Sequence, residues 1–191
     1  MAGFFDLRDS DGGLVSTRGF VDYLLEAMGK TRFGQLEIPL KVIATDFWAR
    51  EQVVFRRGEL GPAIAASMAI PGVFAPVEHD GRVLVDGGLV NPLPYDVLMD
   101  SCDLTIAVDV QGRAAPRGGE APTYFETTFN SLQIMAATIT RARLDLRPPD
   151  IYLAPDIRNV RVLDFYRFEE IFRQTKPAKA ALKRELGRRL T

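Results

Sequence analysis

One cysteine, one histidine and one tryptophan occur in 191 residues, and each scarcity closes off a class of chemistry. A lone Cys102 cannot form an internal disulfide, and with His79 the only histidine there is no Cys/His set for a structural zinc. Charge of neither sign dominates. Lys+Arg total 24 against 25 Asp+Glu, a net charge of -1, so no global basic field exists to hold nucleic acid. Long apolar runs are missing too. The longest uncharged stretch, Gly61 to Val77, is interrupted by Pro62, Pro71 and Pro76, which a membrane-spanning helix does not accommodate. Asp6, Arg8, Asp9 and Asp11 interrupt the apolar core that a signal peptide would need. What remains is ordinary globular usage, 47% hydrophobic and 26% charged, at a length suited to one domain. These features predict a soluble, cytoplasmic, single-domain chain over residues 1–191, with no metal or organic cofactor implied.

The apolar pattern supplies the elements. Ser16 or Thr17 is placed to cap a helix carrying Phe20, Val21, Leu24, Leu25 and Met28 on one face, ended by Gly29. Ile38 to Phe47 reads as a buried strand, with Val53 to Phe55 beside it. Pro62 opens a short helix through Ile70, stopped by Pro71-Gly72. The Asp80-Gly81 turn signal makes Val73 to Val85 a hairpin. A short helix over Pro94 to Asp100 precedes a buried strand, Leu104 to Val110, and a Gly/Pro-rich loop, Gly112 to Pro122. Phe125, Phe129, Leu132, Met135 and Ile139 line one side of a helix from Tyr124 to Leu144, and Ile151 to Leu153 is a short strand. Two helices, Phe165 to Phe172 and Pro177 to Leu190, close the chain. Strands alternating with helices predict a layered α/β domain with a largely parallel sheet.

Asp-Gly-Gly-Leu-Val occurs twice, at Asp11 to Val15 and Asp86 to Val90, in flanks that do not match. The first copy mimics part of a calcium loop through Asp9, Asp11 and Gly12, but Leu7 and Arg18 would then stand where carboxylates are needed. It is a solvated polar loop. The second copy follows the strand Arg82 to Val85. A carboxylate there, followed by Gly87 and Gly88, suits a site at the C-terminal end of a strand, where glycines let the backbone approach a substrate. The same residues fit a tight turn whose Asp bonds its own backbone, and spacing alone favours that plainer reading.

The context of the second copy adds more. Ile38-Pro39-Leu40, Ala44-Thr45-Asp46, the run Ala66-Ser67-Met68-Ala69-Ile70-Pro71-Gly72-Val73-Phe74-Ala75-Pro76-Val77, and Leu84-Val85-Asp86-Gly87-Gly88-Leu89-Val90-Asn91-Pro92-Leu93-Pro94 follow in order. From about Leu14 through Val110 the chain resembles the later part of the patatin-like phospholipase family in its short bacterial form. The resemblance implies a three-layer α/β/α domain with its N-terminal strands missing, and a serine–aspartate acyl hydrolase of lipid esters. By position Asp86 would be the dyad aspartate, Gly87 and Gly88 would shape the turn presenting it, and Asn91 with Pro92 would fix the exit.

The family's Gly-x-Ser-x-Gly nucleophile is absent: none of Ser10, Ser16, Ser67, Ser101 and Ser131 has glycines two residues before and after. No Gly-rich run near Met1 offers oxyanion donors. The expectation is therefore the C-terminal part of such a domain, inactive alone, or else a catalytically inactive module that binds lipid or protein. Ser67 sits in a predicted helix rather than on the strand–turn–helix elbow a nucleophile needs. His79 falls in a hairpin turn and is a poor general base. Asp46 and Asp109, near strand ends, read as partners of turns or caps. The basic tail from Lys176 to Arg189 suits either a solvated helix face or peripheral contact with an anionic membrane, of which the solvated face is the more ordinary.

Overall fold

A computed structural model describes residues 17–111, 121, 123–158, 160 and 167–190. The polar loop at Asp6 to Gly13, Ser10, Ser16, most of the predicted loop 112–122 and residues 165 and 166 lie outside the described residues. The chain divides into two compact units between Pro92 and Leu93, and its class is α/β.

In the first unit, helix α1 (Thr17–Met28) turns Val21 inward, with Leu24 and Leu25 half-buried, whereas Met28 is exposed. Strand β1 (Val42–Asp46) is shorter than the predicted Ile38 to Phe47. Pro39 has no N–H for a ladder, Ile38 is 80% exposed, and Phe47 already belongs to the turn into β2 (Glu51–Phe55). Helix α2 (Leu60–Ser67) starts two residues before Pro62 and buries Leu60, Ala63 and Ala66. The predicted hairpin contracts to β3 (Val77–His79) and β4 (Arg82–Asp86), because Val73 and Phe74 are held in a turn by bonds from both N–H groups to the Ile70 carbonyl. Between the strands Asp80 and Gly81 adopt φ of 49° and 73°, left-handed values that Asp-Gly reaches at little cost.

Strand order is β2-β1-β4-β3, and all three pairings are antiparallel. This corrects the largely parallel sheet expected from the alternation. The four-residue and two-residue links, Phe47 to Arg50 and Asp80-Gly81, are too short to join anything but antiparallel neighbours. One face of the sheet packs on α2 through Ala44, Ala66 and Leu84, with Val53, Phe55 and Val77 around them. Small alanines on both surfaces let helix and sheet approach closely. Full burial of Leu84 alone contributes about 1.5–3 kcal/mol.

The second unit holds the parallel pair, β5 (Ile106–Val108) with β6 (Ile151–Leu153). Their connection runs through α3 (Tyr124–Leu146), the kind of helical crossover a parallel pair requires. Thr123 and Glu126 form a capping box at its start. Phe129, Leu132 and Ile139 are half-buried, whereas Met135 is exposed. The predicted helix at Pro94 to Asp100 is two 3-10 turns, Pro94–Val97 and Met99–Ser101. Leu93, Tyr95 and Ala107 form its core with Met99 and Leu144, and the Tyr95 hydroxyl donates to the Arg147 carbonyl at 2.8 Å.

At the C-terminus one helix, α4 (Phe168–Arg189), replaces the predicted two and continues through Pro177. Pro177 cannot bond the Arg173 carbonyl and its ring crowds it, but half-buried Ile171, Ala178 and Leu182 hold the turns on either side. Among the described residues no helix is long and apolar enough to cross a membrane.

Candidate active site

The second Asp-Gly-Gly turn is built almost entirely by contacts distant in sequence. Asp86 is the last residue of β4 and stands opposite Ala44 of β1. Its N–H donates to the Ala69 carbonyl at 3.0 Å, just beyond α2. Its carbonyl accepts from the buried Thr45 hydroxyl at 2.8 Å. The backbone is thus held by the neighbouring strand on one side and the helix end on the other before the side chain is considered.

Gly87–Leu89 then form a 3-10 turn capped by the Asp86 side chain. A Cβ on Gly87 would lie 2.7 Å from the carbonyl carbon of Ile43 in β1, so the turn can pass this close to the strand only without a side chain. A Cβ on Gly88 would meet the Asp86 carboxylate itself, Oδ1 at 2.9 Å. The turn closes with the Asn91 N–H donating to the Gly87 carbonyl at 2.9 Å. Asn91 is 2% exposed, and its Nδ2 donates to Gln52 Oε1 of β2 at 2.6 Å. Asn91 thereby ties the exit of the turn to β2.

The carboxylate is asymmetric. Oδ1 accepts from the Gly88 N–H at 2.6 Å, while Oδ2 makes no hydrogen bond among the described residues. The group is half-buried. Burial pushes its pKa above the ordinary carboxylate value and outweighs the Gly88 hydrogen bond, which pulls the other way. A carboxylate with one oxygen anchored, the other open and its basicity raised can take a proton from a hydroxyl brought to the open oxygen. The Asp does bond its own turn, and it still has an oxygen to spare.

The other titratable and nucleophilic candidates lie elsewhere or are occupied. His79 ends β3 opposite Arg82, four residues before Asp86 on β4, which is about 13 Å along a strand. Its Nε2 lies 3.5 Å from Asp80 and its ring packs edge-on against Phe55. Asp46 caps the β1–β2 turn, accepting from the N–H groups of Trp48 and Ala49 at 3.2 and 3.0 Å. Asp109, in the second unit, accepts from the Gln111 N–H and the Tyr152 hydroxyl. Ser67 is the last residue of α2, eight residues into a helix and not on a strand-to-helix turn. Ser101 and Ser131 donate to the carbonyls of Leu98 and Thr127. Among the described residues no group of three or more His, Cys, Asp or Glu is placed to hold a metal ion.

Three supports of the turn are absent from the sequence reading: the Thr45 hydroxyl and the Ala69 carbonyl, which hold Asp86, and Gln52, which holds Asn91. None has a local signature, since Thr45 and Asp86 are 41 residues apart and Gln52 and Asn91 are 39 apart.

Comparison with known proteins bears on the same stretch. The family model described as patatin-like phospholipase matches residues 5–99. An uncharacterized NTE family protein of Mycobacterium tuberculosis is 44% identical over 107 residues, covering 56% of this chain and 30% of the relative. A lysophospholipase of Candida glabrata is 26% identical over 171 residues, covering 78% of this chain and 10% of its own length. Patatin-like phospholipase domain-containing protein 7 of Mus musculus is 27% identical over 196 residues, covering 90% and 14%. The chain thus spans about a third or less of the relatives it matches.

Proposed function

Residues 5–99 of this chain belong to the patatin-like phospholipase family, and on that premise we propose that the chain is part of a lipid acyl ester hydrolase in which Asp86 is the base of a serine–aspartate pair. The observation that carries the reading is the Asp86 carboxylate at a strand-end turn, with Oδ1 held by the Gly88 N–H and Oδ2 open. The serine is supplied by a segment bearing Gly-x-Ser-x-Gly, a pattern none of the five serines here displays.

The proposed chemistry runs in two halves. As the serine oxygen bonds to the ester carbonyl carbon, its proton passes to Asp86 Oδ2. The bond to the lipid alcohol then breaks, and the alcohol leaves with that proton, so the acyl group is left on the serine. Water attacks the acyl-serine in the second half and gives its proton to Asp86. Asp86 returns the proton to the serine oxygen as the fatty acid departs. No histidine takes part, consistent with His79 lying about 13 Å along the strand from Asp86. Burial raises the carboxylate pKa toward the working pH, which favours proton uptake in each half.

The test is Asp86→Asn in a polypeptide that contains both this chain and the Gly-x-Ser-x-Gly segment. Ester hydrolysis is expected to fall by about 10²–10⁴-fold, the usual contribution of a positioned base. Hydrolysis that survives the substitution overturns the assignment. Fluorophosphonate treatment of the 191-residue chain alone is expected to label no serine; labelling at Ser67 would place the nucleophile here instead.

A second reading, a catalytically inactive module that binds lipid or protein, is favoured by the missing Gly-x-Ser-x-Gly. The coding sequence upstream of Met1 separates the two. An in-frame Gly-rich strand–loop followed by that motif supports the hydrolase.

A further inference from the structure

We propose that the outward face of α4 docks on an anionic lipid surface. Phe168, Phe172, Lys176, Lys179 and Lys183 follow one another at spacings of four, four, three and four residues, which places all five on one side of the helix. All five are exposed, Phe168 at 54% and Phe172 at 65%. The two rings stack edge to face, centroids 6.3 Å apart. The adjoining side of the helix, through half-buried Ile171, Ala178 and Leu182, turns toward its own unit, where α4 meets β6 and Arg189 bonds the Asp150 carbonyl at 3.0 Å. Nothing in that packing uses the phenylalanine–lysine stripe.

The charge pattern is unfavourable for the helix by itself. Lys176, Lys179 and Lys183 are like charges at i, i+3 and i+7, neighbours that repel. No ion pair relieves them among the described residues, because Glu170 is engaged by Arg167, and Glu185 by Arg188 and Arg189. A plane of anionic headgroups over a hydrocarbon layer answers both halves of the stripe. Lysine stems lie along the surface with their ammonium groups at phosphates, and the phenylalanine pair enters the acyl boundary. The choice of a bilayer over another polyanion rests on the lipid-ester reading above and on the two exposed rings.

The experiment measures binding of the 191-residue chain to phosphatidylcholine vesicles with and without phosphatidylserine. Three variants accompany it: Lys176→Glu/Lys179→Glu/Lys183→Glu, Phe168→Ala/Phe172→Ala and Asp86→Asn. Binding is expected only with phosphatidylserine, weakening as salt is raised. The triple variant should lower the partition coefficient at least about tenfold. The double variant should lower it with the salt dependence unchanged. Asp86→Asn should bind as wild type, so docking is read apart from hydrolysis, which is measured in the polypeptide bearing Gly-x-Ser-x-Gly. Equal binding to both vesicle types overturns the proposal, as does full binding by the triple variant or tighter binding to an oligonucleotide than to the vesicles. Should the triple variant lose helicity by circular dichroism, the dependence of the wild type on lipid charge and salt decides alone.

Discussion

Asp86→Asn should make the chain more stable at neutral pH. The native carboxyl has its pKa raised from 3.8, chiefly by burial, so the folded state holds the proton over a pH range in which the unfolded chain has released it. Stability contributed by this group is full below the ordinary value and is lost as pH rises through the window up to the raised one. Within that window the slope cannot exceed about 1.4 kcal/mol per pH unit, and above it the loss is constant. Asparagine has no charge to bury and keeps an acceptor for the Gly88 N–H. It gives up only the extra strength of a charged acceptor, about 1 kcal/mol, and the upward direction of the shift means that burial exceeds this term. The assay is urea denaturation of both proteins, followed by far-ultraviolet circular dichroism from about pH 4 to about pH 8. The variant should come nearest to wild type at the acid end, and exceed it by a margin that grows with pH and then levels off. A variant less stable at neutral pH, or a difference that does not grow with pH, would refute the reasoning.

Thr45→Val keeps the shape of the side chain but leaves the Asp86 carbonyl without its 2.8 Å donor; unfolding should become easier by about 1–3 kcal/mol, with Thr45→Ser near wild type in the same denaturation series. Gly87→Ala forces β1 to move away from the new Cβ and should cost about 1–3 kcal/mol. Gly88→Ala meets only the Asp86 carboxylate, so hydrolysis by the polypeptide bearing Gly-x-Ser-x-Gly should fall more than stability does. Pro177→Ala restores the bond to the Arg173 carbonyl within exposed α4 and should raise helix stability by about 1–3 kcal/mol, read as a higher melting temperature.

Local chemistry was legible in the sequence wherever a short motif sufficed. Asp80-Gly81 marks the hairpin, and Asp86-Gly87-Gly88 marks the candidate site. What was misread depends on contacts that periodicity does not carry. Alternation of strands and helices suggests parallel pairing, yet the links at Phe47 to Arg50 and Asp80-Gly81 leave room only for antiparallel neighbours. A proline is a strong stop signal, yet Pro177 lies inside a helix whose adjoining turns are held by packing. Gln52 gave no sign of its role, because its partner Asn91 is 39 residues away.

The same distant contacts hold the Asp86 carboxylate in place. Every bond that orients Asp86 comes from residues 45–88: the Ala69 carbonyl, the Thr45 hydroxyl and the Gly88 N–H. Around them Ile43 closes one side of the turn and the Gln52–Asn91 pair fixes its exit. All of these lie within the first compact unit. The Asp86 carboxylate is therefore positioned by the fold of that unit, with its Oδ2 left to be engaged. On the serine–aspartate reading proposed above, a hydroxyl approaching it needs no histidine relay. It needs only to arrive within hydrogen-bond reach, about 2.6–3.2 Å. Substitutions at Thr45 or Gly87 should accordingly weaken hydrolysis by displacing Asp86, and restoring the bond with Thr45→Ser should restore the activity.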